Sequence, residues 1–340
     1  MRGYTRPALS QSDSLRRRPT VAFDDQRSRV PLHPLAEAAA RVAYGWLRNQ
    51  HHFRDRRPVP NFFLRSARFL RLRDQQPTVD VHMAGLRVLV STSDLTIARS
   101  VYISGDWDPL MVGTVFDALD RYGQPYRGRT FVEVGANFGV YALPAVSAHG
   151  FGRAVAYEPD PFSFELLTCN IERNSLTSRI SAYNVALSAE PGELALQLGD
   201  HNAGDNRIVG NGSAAEAART VPVPARTFDV EVAAGHIPID DLGLAWIDVQ
   251  GHELEVLRGA TSLLAARVPL VIEYGTEMMS PADRRNLEDL LAEHYAVMVD
   301  LGWCALTNRL RFQPASAIRR LARDGRLVET DLLLLPERRD

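Results

Sequence analysis

The sequence of 340 residues contains no lysine, and all 39 basic side chains are arginine. That bias fits a GC-rich genome more than any chemistry. Cysteine is nearly absent: Cys169 and Cys304 stand far apart on different stretches. Two such thiols exclude a disulfide framework and point to a reduced compartment, the cytoplasm. No Cys/His cluster has zinc spacing, and no metal is expected. No apolar run is long enough to span a bilayer. No apolar h-region follows the early arginines, so a secretory signal is not expected. The net charge of -2 makes no case for nucleic acid as the main partner. An Asn/Asp-Pro-Pro-aromatic tetrapeptide, which amino-methylating enzymes use to stack a flipped base, is also missing.

What is present centres on Phe131-Val132-Glu133-Val134-Gly135-Ala136-Asn137-Phe138-Gly139-Val140. An apolar, β-branched run ends in an acid, and a glycine-bracketed turn follows. This is the strand–glycine loop–helix opening of a nucleotide-binding α/β unit. Gly135 lets the backbone turn sharply, and Gly139 lets the next helix pack closely. About 20 residues on, Glu158 ends a second short apolar run, at the spacing where an acid meets a ribose diol. A dinucleotide loop keeps several glycines so that free amides can hold a pyrophosphate. Here alanine and asparagine interrupt that pattern, and Glu133 just before the loop would repel phosphate. An amino group or a sulfonium suits it better. The loop therefore favours S-adenosylmethionine over NAD.

Several blocks then resemble one family. Glu133-Val134-Gly135-Ala136-Asn137-Phe138-Gly139, Glu158-Pro159-Asp160-Pro161, Asn170-Ile171 and Ala186-Leu187-Ser188 look like successive segments of the FkbM-type S-adenosylmethionine-dependent methyltransferases. Ile247-Asp248-Val249-Gln250-Gly251-His252-Glu253-Leu254 opens the most distinctive block. The chain departs from the family at three places. Glu133 stands where aspartate is usual, Trp246 where lysine is usual, and Gln250 where glutamate is frequent. The resemblance implies a class I methyltransferase fold and O-methylation. It also implies cofactor contacts from Glu133, Gly135, Ala136, Asn137, Gly139, Glu158, Pro159 and Ala186. It further places the acid–aromatic–acid cluster Asp106-Trp107-Asp108 near the mouth of the cofactor site.

Periodicity predicts the architecture. Strands at 130–134, 153–158, 180–186, 244–249 and 269–274 alternate with helices at 162–174 and 283–294. Segments 295–301 and 331–335 complete about seven strands. The expected fold is a doubly wound, mostly parallel, Rossmann-like sheet covered on both faces. A hairpin is expected over 79–90 and a helix over 110–121, with Asp108 as its N-cap. Residues 1–34 read as an Arg-rich, disordered tail, for which an organellar transit peptide is the alternative reading. Residues 35–78 read as a helical extension, with helices at 35–49 and 61–73, and 79–340 as the catalytic domain. The polar, glycine-rich stretch 199–213 reads as a lid or acceptor-binding loop between two antiparallel strands.

Three candidates at strand ends could take a proton from an acceptor hydroxyl. Asp248 ends the fourth strand, His252 opens the following helix, where its neutral form is favoured, and Glu273 ends the fifth. The expected activity is O-methylation of a hydroxyl on a sugar or secondary metabolite. A small-molecule acceptor is the expected partner, and a homo-oligomer is left open. The competing reading is a non-catalytic scaffold that binds a partner or membrane surface through its basic N-terminal helices.

Overall fold

The computed structural model describes residues 62–73, 75–199, 203–209, 220–322 and 328–338. The expected tail over 1–34 and helix over 35–49 lie outside the described residues. The second expected helix is present as α1 (Phe62–Arg73). Behind it come the antiparallel hairpin β1 (Thr78–Met83) and β2 (Leu86–Ser91), which turns at Ala84 and Gly85, and then α2 (Ile97–Ser104). Phe69 of α1 is buried against Tyr102 of α2, with ring centroids 5.2 Å apart. Arg99 of α2 donates to the Ser66 hydroxyl at 2.6 Å. This helix therefore packs on the fold with its buried side.

Helix α3 (Pro109–Tyr122) follows Asp108. Asp108 holds the N-cap position, but its φ is 45° and its side chain makes no cap hydrogen bond. The expected cap is not made, because a left-handed residue does not present its side chain to the first turn as an extended one does. Strands β3 (Thr130–Val134), β4 (Arg153–Tyr157) and β5 (Ile180–Tyr183) then alternate with α4 (Ala142–Ser147) and α5 (Pro161–Arg173).

After β5 the chain leaves this sheet. Strands β6 (Ala186–Leu187), β7 (Gly192–Gln197), β8 (Arg207–Val209) and β9 (Thr220–Arg226) form a separate sheet in the order β6-β9-β7-β8. The strand expected over 180–186 is thus cut in two. Asn184 turns the chain between the halves, donating from Nδ2 to the carbonyls of Glu158 at 2.8 Å and Pro159 at 3.0 Å. Ala186 consequently belongs to the second sheet and not to the main one.

The chain returns through α6 (Phe228–Ala233) to β10 (Leu242–Ile247), α7 (Glu253–Arg258), α8 (Thr261–Ala266) and β11 (Leu270–Gly275). Helix α9 (Pro281–His294), β12 (Val297–Asp300), α10 (Leu301–Thr307), β13 (Gln313–Pro314) and β14 (Glu329–Leu335) complete it. The main sheet has eight strands rather than seven, in the order β13-β12-β14-β11-β10-β3-β4-β5. The extra strand, β13, is a two-residue edge paired to Val297 and Met298. It is too short to leave a periodic signal. Strands β11, β10, β3, β4 and β5 pair in parallel, while β14 runs antiparallel between β11 and β12.

Alternation on β10 shows why both faces are covered. Leu244 and Trp246 join one core with Met111, Leu143, Leu167 and Leu301. Ala245 and Ile247 join the other with Phe228, Leu257, Leu263 and Leu287. A strand buried on both sides must be apolar throughout, as this one is. No helix among the described residues is long and apolar enough to cross a membrane.

The winding fixes where a ligand belongs. The chain runs outward from β3 to β5, then returns to pair β10 on the other side of β3. The switch point lies between β3 and β10, and the crevice at the carboxyl ends of such strands is where open α/β sheets bind ligands.

Candidate active site

The glycine loop sits at this switch point. Gly135 has φ +88°, and a Cβ there would stand 2.0 Å from the Asp248 carbonyl oxygen. Only glycine lets the two strand ends approach so closely. Gly139 has φ +94°, and a Cβ there would meet Leu143 at 2.7 Å and Leu167 at 3.0 Å. It therefore admits packing of α4 and α5 side chains, rather than closeness to the strand. Ala136 is fully buried in the core. Neither Ala136 nor Gly139 reaches the cavity wall.

The loop amides are used internally. Gly135 N and Ala136 N both donate to Tyr157 O, at 2.9 and 3.0 Å. Asn137, with φ 50°, donates from its backbone to Glu158 Oε2 at 2.6 Å. Phe138 N donates to Asn137 Oδ1 at 2.9 Å. Asn170, fully buried, clips the loop to the hairpin by donating to Phe138 O and Leu89 O and accepting from Leu89 N. This is no open cradle of amides of the sort a pyrophosphate needs.

Two buried acids frame the loop. Glu158 accepts at Oε2 from Asn137 N and at Oε1 from Asp160 N, 2.8 Å away. Burial pushes its carboxyl up to about 8. Glu133 accepts from the amides of Tyr141 at 3.1 Å and Ala142 at 2.7 Å, where α4 begins. Burial pushes its carboxyl well above the ordinary range too, with these two amides opposing. Glu133 thus orders the entry to the helix as well as lining the cavity.

The opposite wall follows β10. Asp248 comes just after the strand, and its Oδ1 accepts from Gln250 Nε2 at 2.9 Å. The same nitrogen donates to Glu273 Oε2 at 2.8 Å. Glu273 lies within β11, is buried, and does not line the cavity. Its expected place at the reacting edge is taken by Gln250, which stands between it and Asp248. Glu253 holds this turn from below, accepting at Oε1 from Val249 N and Gly251 N, both at 3.1 Å. Burial raises its carboxyl to about 7. His252 sits at the N-cap of α7 with Nε2 3.0 Å from the Ser188 hydroxyl, and burial lowers its pKa.

These walls enclose a cavity of about 160 Å³. Of the residues expected from sequence, Glu133, Gly135, Asn137, Glu158, Pro159, Ala186, Asp248 and His252 line it together. They come from four separate stretches of chain. Trp107, which the resemblance places near the cofactor's mouth, lines the cavity too, whereas sequence reasoning missed Tyr141 beside it. Tyr141 stacks on Trp246 with centroids 4.0 Å apart, and Trp107 Nε1 donates to Tyr141 Oη at 3.0 Å. Trp246 had the signal, a bulky residue where the family carries lysine, but nothing in the sequence named Tyr141 as its partner. The second sheet adds Leu196 and Ile208 to the lining. Part of the stretch expected as a lid, 203–209, therefore lies at the cavity, while 200–202 and 210–213 fall outside the described residues. No group of three or more His, Cys, Asp or Glu among the described residues is arranged to hold a metal ion.

A doubly wound sheet with a glycine loop and buried acids at its switch point defines a Rossmann-like α/β protein of the class I methyltransferase kind. Residues 133–296 match the family model described as the methyltransferase FkbM domain. That match covers just under half of the chain. A hexuronic acid methyltransferase, AglP of Haloferax volcanii, is 30% identical over 47% of this chain and 60% of its own length. The chain thus spans less than two thirds of that curated relative. Among solved structures, a methyltransferase FkbM from Methylobacillus flagellatus aligns at 16% identity over 67% of this chain and 56% of that one, with a TM-score of 0.31. A human methyltransferase 10 domain containing protein aligns at 13% identity over 81% and 99%, with a TM-score of 0.39. Scores this low carry no weight, and the fold rests on the topology above.

Proposed function

We propose that this protein transfers the methyl group of S-adenosylmethionine to a hydroxyl of a sugar or secondary-metabolite acceptor, in the cytoplasm. The observation that carries the reading is the joining of Glu158 to Asn137 at 2.6 Å, on the same cavity as Asp248 and His252. It brings a diol-binding acid and two proton acceptors to one crevice. The internally satisfied loop amides favour a nucleoside without a pyrophosphate. The family match and the sugar-acid methyltransferase relative favour methyl transfer and a saccharide acceptor.

S-adenosylmethionine, when bound, supplies an electrophilic methyl on a sulfonium. The rest falls to the chain. Glu158 accepts from the two ribose hydroxyls. Glu133 holds the start of α4 at the cavity through the Tyr141 and Ala142 amides, and the Asp248 carboxyl faces the cationic ligand. Tyr141 and Trp107 form an apolar wall that excludes water. His252, held neutral by burial, or Asp248 takes the acceptor proton. Orientation supplies roughly 7–11 kcal/mol, and a base adds a factor of about 10²–10⁴. Alignment therefore dominates, and loss of the base slows turnover without ending it.

The test is incubation with methyl-labelled S-adenosylmethionine and, separately, glucuronic acid, glucose and catechol, with products read by mass spectrometry. A labelled methyl ether is expected from at least one acceptor. No labelled product, together with no cofactor binding by calorimetry, would leave the scaffold reading in its place.

A further inference from the structure

We propose that Gln250 is a positioning residue: its side-chain amide locks Asp248 and Glu273, from two neighbouring strands, into one hydrogen-bonded row at the cavity wall. The inference rests on the methyl-transfer reading above. Gln250 Nε2 carries two hydrogens and no acceptor site. One goes to Asp248 Oδ1 at 2.9 Å and the other to Glu273 Oε2 at 2.8 Å. Both carboxyls must therefore turn an acceptor oxygen toward it.

The backbone is shaped to put the amide there. Gln250 has φ 55° and Gly251 φ 96°, so two consecutive residues are left-handed. Such a conformation at a non-glycine residue costs free energy and persists only when the surroundings impose it. Glu253 imposes it by accepting from the amides on both sides of Gln250. The side chain so placed fills no core; it is half-buried and lines the cavity.

The surroundings say what the amide is for. Glu133 of β3, Glu253 of α7 and the Tyr141 phenol lie in the field of Asp248. His252 lines the same cavity. Glu273 pairs across the sheet with Asp331 of β14. Acids thus surround the row. An amide at position 250 offers two donors and no charge, so Asp248 and Glu273 each gain a donor without a further acid between them. A carboxyl at 250 would add a third negative charge. An apolar side chain would remove both donors.

The test uses the full chain. Gln250→Met keeps the length and removes the donors, while Gln250→Glu keeps the shape and adds charge. The acid limb of the kcat profile, measured with labelled S-adenosylmethionine and glucuronic acid, is expected to move up by about one pH unit in the Met variant. A larger move is expected in the Glu variant, while KM for the cofactor changes less than kcat. In parallel, carbon-13 carboxyl resonances of labelled aspartate are titrated, with Asp248→Asn for assignment. The Asp248 signal is expected to titrate at higher pH in both Gln250 variants. Profiles and titrations superimposable on wild type would overturn the proposal. Absence of product from wild type with every acceptor, together with no cofactor binding, would sink the methyl-transfer reading alone, since the titration still decides the role of Gln250.

Discussion

The hydroxyl of Ser188 lies 3.0 Å from Nε2 of His252. Ser188 follows β6 of the second sheet and His252 caps α7, so this bond ties the two sheets together at the cavity. Burial lowers the His252 pKa below its ordinary 6.5. The imidazole is therefore neutral and able to accept a proton at physiological pH. His252→Ala is expected to lower single-turnover rates by about 10²–10⁴-fold if His252 is the base. Ser188→Ala should lower them several-fold, matching a neutral hydrogen bond of about 1 kcal/mol. Cofactor affinity should hold in both. If the His252 variant keeps its rate and Asp248→Asn loses it, the base is Asp248.

Glu158 predicts a pH dependence of both stability and binding. Its carboxyl titrates at about 8 when folded, against an ordinary 4.5. A carboxyl raised on folding holds its proton in the native state. It contributes stability fully present below pH 4.5 and lost as pH rises through about 8. Without cofactor, thermal stability should fall across this window, by on the order of 1 kcal/mol per pH unit at the steepest. Glu158→Gln should flatten the fall, though Glu133 and Glu253 are shifted the same way and keep part of it. Binding runs oppositely. The ionised carboxylate is the better acceptor for a diol, so affinity for S-adenosylmethionine should rise with pH toward 8 in wild type and stay level in the variant. Calorimetry in buffers of different ionisation enthalpy reads the proton released.

Much of this was legible in the chain because both kinds of signal were local. The glycine loop, Glu158 and the Asp248 block each follow an apolar strand, and period alone places strand ends on one edge. Asp248 and Glu158 needed only that rule. Glu273 failed because its strand runs on to Gly275, which leaves the acid inside the sheet behind Gln250. Ala186 changed sheets because one side chain, Asn184, turned the backbone two residues earlier. The stacking of Tyr141 on Trp246 joins residues 105 positions apart (246 minus 141), with no shared pattern. Contacts of that kind are set by packing, which periodicity does not encode.

The two loop glycines should differ in what they tolerate. At Gly135 an added Cβ meets backbone, the Asp248 carbonyl oxygen at 2.0 Å, and φ is +88°. That carbonyl cannot rotate aside freely, because the other end of its planar peptide unit, Val249 N, is bonded to Glu253 Oε1 at 3.1 Å. Gly135→Ala must then separate β3 from the end of β10, and it carries the left-handed strain as well. At Gly139 the neighbours are side-chain atoms of Leu143, at 2.7 and 2.8 Å, and of Leu167, at 3.0 Å. Gly139→Ala retains the backbone strain, about 1–3 kcal/mol, and its clash is with side chains that can shift rather than with backbone. Urea unfolding should show Gly135→Ala as the more destabilised of the two. Cofactor binding should be lost in Gly135→Ala and only weakened in Gly139→Ala, since only the first displaces Asp248. Equal losses of stability would mean that the strand ends are free to part, and that close approach at the switch point does not hold the site in shape.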